Sequence, residues 1–146
     1  MALESAPQRR FSSPEEEIAY LREQIALRER SVLERSIHAD HHELLAAGKD
    51  ALRDYAEHTP SMVLTPKHQM SEHEARGHVE MIDAAMHKAD GIVSIAFARG
   101  IKNALIVLEK QSDPHLTDEV HSALIEAIKA GRRMSDVRES GTLWNV

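Results

Sequence analysis

Ten histidines stand out in this 146-residue sequence, and most fall into groups with carboxylates among them. His38, His41 and His42 lie within His-Ala-Asp-His-His-Glu. His38 and His42 are one helical turn apart, the spacing at which two imidazoles on one face can reach a single metal ion. Asp83 and His87 repeat that spacing, with Glu80 and Asp90 beside them, and His115, Asp118 and His121 form a third set. Nitrogen and oxygen donors of this kind, brought together between helices, suit zinc, iron or manganese. One reading is therefore a metal-binding helical protein or metal-dependent hydrolase using His38, His42, Asp83 and His87. The usual signatures of such sites are missing: no Glu-x-x-His, no His-Glu-x-x-His and no adjacent His-Asp pair occurs. The favoured expectation is solvated surface histidines, with one or two buried, His41 first among them because it borders an apolar stripe. No metal or other cofactor is expected.

Other chemistries find less support. There is no cysteine, which removes disulfides, zinc knuckles and thiol catalysis. Neither a Gly-rich phosphate loop nor a Gly-x-Ser-x-Gly elbow is present. The net charge of −6 leaves no basic stripe for a nucleic-acid duplex, since Arg28/Arg30 and Arg132/Arg133 are isolated pairs. A small nucleic-acid-associated regulator is accordingly the weakest of three readings. Neither a signal peptide nor an apolar run long enough for a bilayer is visible, so the expected compartment is the cytoplasm. Aromatics make up 3% of the chain, so a core must come from aliphatic side chains, as in helix packing.

The elements that would position these side chains are helical throughout. Residues 1–12 read as a disordered leader. Ser13-Pro14-Glu-Glu-Glu starts a helix: a capping hydroxyl, proline at the first position and three acids at the positive end of the dipole. Glu16 would close a capping box with Ser13. Ile18, Leu21 and Ile25 begin a heptad seam that fades at Arg28, which predicts an N-terminal arm able to form a short coiled coil with a second copy or to lie on its own bundle. An apolar stripe continues to about His58, with Ser36–Asp40 as a plausible joint, and Thr59-Pro60 ends it. A loop is predicted over 60–70. From Ser71 the spacing of Ala75, Val79, Ile82, Met86, Ala89, Val93 and Ala96 predicts one long helix to Arg99, buried along that face and closed by Gly100. Two helices follow, Ile101 to about Lys110 and, capped by Asp113 or Thr117, a last one ending near Lys129-Ala-Gly131. Residues 132–146 read as a polar tail ending in Leu143-Trp144-Asn145-Val146.

Three stretches carry a resemblance: Gly100-Ile-Lys-Asn-Ala-Leu-Ile-Val-Leu-Glu-Lys, Asp113-Pro-His-Leu-Thr-Asp-Glu-Val-His121, and Leu124 with Ile128. Together they resemble a helical region of large uncharacterised proteins from reduced-genome candidate bacterial phyla, often labelled as associated with type IV secretion or conjugation ATPases. The start at Ser13 and the end at Thr142-Leu-Trp-Asn-Val146 look like boundaries of that region. Those proteins look longer, with membrane or ATPase parts, and no ATPase motif occurs here. The resemblance therefore implies a helical fold and an accessory role, and no catalytic residues.

The expectation is an all-α protein, an irregular antiparallel bundle of about five helices over residues 13–131 with a helical arm. Its leading function is non-enzymatic: an interaction module or adaptor of a larger bacterial assembly. Its partners would be proteins, a second copy included, met through Ile18, Leu21 and Ile25 and through Leu143, Trp144 and Val146.

Overall fold

The computed structural model describes residues 10–36, 38–60 and 63–130. Six α-helices account for most of them: α1 (Pro14–Arg35), α2 (His41–His58), α3 (Glu72–Asp83), α4 (Lys88–Arg99), α5 (Ile101–Gln111) and α6 (Pro114–Lys129), with a short 3-10 turn at Pro66–His68. The molecule is an all-α bundle, and the one β feature among the described residues is an isolated bridge between Phe11 and Leu64.

Local signals place most helix starts. The Ser13 hydroxyl accepts from the Glu16 N–H at 3.3 Å, with Pro14 at the first helical position. The return half of the expected capping box falls one residue early, since the Glu16 carboxylate takes the backbone N–H and hydroxyl of Ser12. A complete box does form at α2, where Asp40 and Glu43 each accept the other's backbone N–H. Ser36–Asp40 is indeed a joint, and α1 and α2 are separate helices. They run antiparallel, with Glu17 near the start of α1 bonded to Tyr55 near the end of α2. Ser71 caps α3, and Asp113 caps α6 by accepting from His115 and Leu116.

The helix expected from Ser71 to Arg99 is two helices. It stops at Ala84, and α4 starts after His87. The reason lies in packing: Ile82 of α3 rests over Gly91 of α4, so closely that a Cβ there would come within 2.6 Å of the Ile82 Cδ1. Gly91 thus lets α3 fold back on α4; it is no kink in a continuous rod. The break changes which face is buried. Met86, expected in the core, is 91% exposed in the connection, and Val79 and Val93 are only half-buried. The buried positions of α4 are Ala89, Ile92, Ile95, Ala96 and Phe97.

Of the two outcomes expected for the N-terminal arm, it takes the second and lies on its own bundle. Ile18, Leu21 and Ile25 are 3%, 1% and 0% exposed, in one cluster with Leu52, Ile101, Val120 and Leu124. Their partner surface is the chain's own bundle, chiefly α2, with α4, α5 and α6 also in contact. The residues just before α1 join in as well. Phe11, placed within the expected leader, is 3% exposed; its N–H donates to the Val63 carbonyl and its carbonyl accepts from Thr65. Phe11, Tyr20 and Tyr55, far apart in sequence, meet with ring centroids 5.4 and 6.4 Å apart.

Candidate functional site

Two features gather the polar chemistry of the described residues: a buried carboxylate at the start of α5 and a groove beside it. The first arises because α5 begins immediately after Gly100, whose lack of a side chain leaves no local cap. The first backbone N–H groups of a helix have no partner within it. Glu17, 84 residues earlier in sequence, supplies one: its Oε1 accepts from the Ile101 N–H at 2.6 Å and its Oε2 from the Lys102 N–H at 2.7 Å. The Tyr55 hydroxyl donates to Oε2 at 2.6 Å. Negative charge at a helix N-terminus is favoured by the dipole. Burial pushes the Glu17 carboxyl above its usual range, while Tyr55, the two N–H groups and Lys102 pull it down. Tyr55 is itself pushed far up by burial and by Glu17. Glu17 is 0% exposed, so this cluster is closed to any substrate and ties α1, α2 and α5 together.

Gly100 is part of the same arrangement. Its φ of 110° and ψ of 148° belong to a region essentially reserved for glycine, distinct from the left-handed helical conformation in which glycine commonly ends a helix. A Cβ there would lie 2.5 Å from the Leu64 Cδ1 and 3.1 Å from the Glu17 Oε1. Its single N–H closes α4 on the Ala96 carbonyl.

The groove lies between the second half of α2, α5 and the first half of α6, with a volume of about 970 Å³. Ala56, Leu105, Ile106 and Leu108 form its apolar part. Lys102 links it to the Glu17 cluster. Its backbone N–H goes to Glu17, while its ammonium enters the groove wall and donates to the Ala56 carbonyl at 2.7 Å. Burial holds the Lys102 ammonium below its usual range, against the pull of Glu109 and Glu17. His121 lines the groove at 7% exposure, and its pKa is lowered by burial first and by Arg53 next, with Asp118 opposing.

The predicted site residues are distributed otherwise. His38 lies in the α1–α2 connection, His42 on α2, Asp83 at the end of α3 and His87 just before α4, and all four are exposed. They do not assemble, and among the described residues no group of three His, Asp or Glu side chains is arranged to hold a metal ion. His41 is an exposed side chain 3.9 Å from Glu126, and the buried histidine is His121. Ile18, Leu21 and Ile25 belong to the core, while Leu143, Trp144 and Val146 lie outside the described residues. Glu17 escaped sequence reasoning because, among Glu15, Glu16 and Glu17, nothing distinguishes a dipole-complementing acid from a buried one. One signal was available: Glu17 shares a heptad face with Leu21 and precedes Ile18, so it points at the core. No helix among the described residues is long and apolar enough to cross a membrane. Comparison with family models, curated proteins and solved structures gives no match to this chain.

Proposed function

We propose that the chain is a non-enzymatic interaction module, an accessory or adaptor subunit of a larger bacterial assembly in the cytoplasm. One observation supports this above the rest. The outer half of α1 and the first half of α2 enclose a groove of about 640 Å³ whose apolar wall is Leu27, Val32, Ala46 and Ala47, with Leu27 45% exposed. Arg35 and Glu43 carry opposite charges on its rim. Apolar surface flanked by mixed charge suits an amphipathic helix of a protein partner, docked in a short coiled-coil manner. Leu33, 48% exposed, lies on another side of the same half-helix and outside this groove. The resemblance of residues 99–128 to secretion- and conjugation-associated proteins suggests the kind of assembly.

The test is a double variant, Leu27→Lys with Ala46→Lys, both at exposed positions. Its stability should match the parent within ~0.5 kcal/mol, as for ordinary surface changes. A protein that co-purifies with the parent chain from its native host should be lost with the variant. Equal recovery with both chains, or none with the parent, overturns the reading. Sedimentation of the purified parent tells whether the partner is a second copy.

A further inference from the structure

We propose that the occupant of the α1–α2 groove is a second copy of this chain, bound about a twofold axis that runs along the groove. The inference rests on the reading of that groove as a protein-docking surface and names what docks there. The charges on its walls carry the choice. Four charged side chains line it, Arg28 and Arg35 on α1 and Glu43 and Asp50 on α2. The α1 wall is thus positive and the α2 wall negative. Arg28 is committed to Asp54, and Asp50 to Arg53. Arg35 and Glu43 are not paired with each other, although α1 ends and α2 begins at the same end of the groove. Arg35 has no ion pair with any described residue. Glu43 gives one carboxylate oxygen to the Asp40 N–H and keeps the other.

Each copy therefore presents one available cation and one available anion on facing walls. In an isologous interface every contact is made twice, so one patch must carry both halves of each pair. A half-turn about an axis along the groove exchanges the two walls and keeps each residue at its own level. It lays α1 of one copy on α2 of the other and brings Arg35 to Glu43 of the second copy, twice. The apolar side chains obey the same operation. Leu27, 45% exposed, stands on α1 about two turns before Arg35, and Ala46 and Ala47 lie on α2 about one turn after Glu43. Leu27 of each copy would settle over the alanines of the other, a large side chain against small ones. The two α1–α2 pairs together form a four-helix arrangement with antiparallel neighbours. A partner carrying charge of one sign would suit one wall and be repelled by the other.

The experiment uses the intact purified chain in sedimentation velocity across the micromolar range. The parent should show a concentration-dependent monomer–dimer equilibrium. Arg35→Glu and Glu43→Arg, both at exposed positions, each set like charges against one another at both contacts. Either one alone should weaken the dimer by roughly tenfold or more. In an equimolar mixture the chain with two acids meets the chain with two bases, both contacts become attractive, and dimers should return. Circular dichroism checks that both variants keep the parent's helix content. Three results overturn the proposal: a parent that stays monomeric, a dimer that neither reversal weakens, or a mixture that associates no better than its components. A monomeric parent that still loses a host protein on Leu27→Lys with Ala46→Lys overturns the second copy alone and leaves the groove's docking role standing.

Discussion

Glu17 shows how one side chain can be a structural keystone without being a catalyst. Removing its carboxylate leaves two backbone N–H groups and a phenol without an acceptor in a closed site, and each buried donor so stranded costs ~1–3 kcal/mol. Glu17→Ala should therefore lower stability by several kcal/mol, and Tyr55→Phe, which removes a single donor, by about 1–3 kcal/mol. Urea denaturation measures both, and a Glu17→Ala loss no larger than that of Tyr55→Phe would contradict the shared-cap description. His121 makes a prediction about pH. Its folded pKa lies below the ordinary value of 6.5, through burial and through Arg53 and Lys49, with Asp118 opposing. As pH falls below about 6.5 the unfolded chain takes up the proton first, so this contribution to stability is present above 6.5 and lost as pH drops through the lowered folded value. His121→Leu should flatten the fall of the urea midpoint across that window. An unchanged pH slope would mean that His121 titrates alike in both states.

At the scale of elements, the sequence was legible wherever structure is set by neighbours in the chain. Ser13-Pro14, Ser71 and Asp113-Pro114 start helices as their chemistry requires, and Gly100 ends one. It was illegible where distant contacts decide. Ala84-Ala85-Met86-His87 contains no breaker, and Met86 sits at the right period to continue an apolar face. Only the approach of Ile82 to Gly91 shows that the chain turns there. The candidate site follows the same division: the histidine spacing was visible, but that His121 and not His41 is the buried histidine was not, because burial of His121 depends on three helices at once. Gly100 is both boundary and contact, so Gly100→Ala tests the junction of α4 and α5. The substitution places a Cβ at φ 110° and against Leu64 and the Glu17 carboxylate. Strain of that kind costs about 1–3 kcal/mol, and displacement of the Glu17 cap adds to it. A variant as stable as the parent in thermal melts would show that Gly100 can relax into an ordinary conformation.

For the whole molecule, the question is what α1 does. A helix with Ile18, Leu21 and Ile25 along one edge is compatible with an assembly arm and with a core element, and the pattern of those residues is the same in both. What separates the two is Glu17: a carboxylate that caps α5 and binds Tyr55 of α2 cannot leave without opening both. α1 is thus a member of the bundle in its first half, and only beyond Ile25 does it present large apolar side chains outward, at Leu27 and Leu33. Two substitutions on the one helix test this division. Ile25→Asp puts an unpaired charge at a position 0% exposed, and the cost of burying it should abolish the cooperative thermal transition or lower its midpoint severely. Leu33→Asp, on the exposed half, should leave the transition within a few degrees of the parent. Circular dichroism melts and sedimentation velocity on both chains decide the matter. A normal melt for Ile25→Asp together with a change in oligomeric state would return α1 to the role of a free arm.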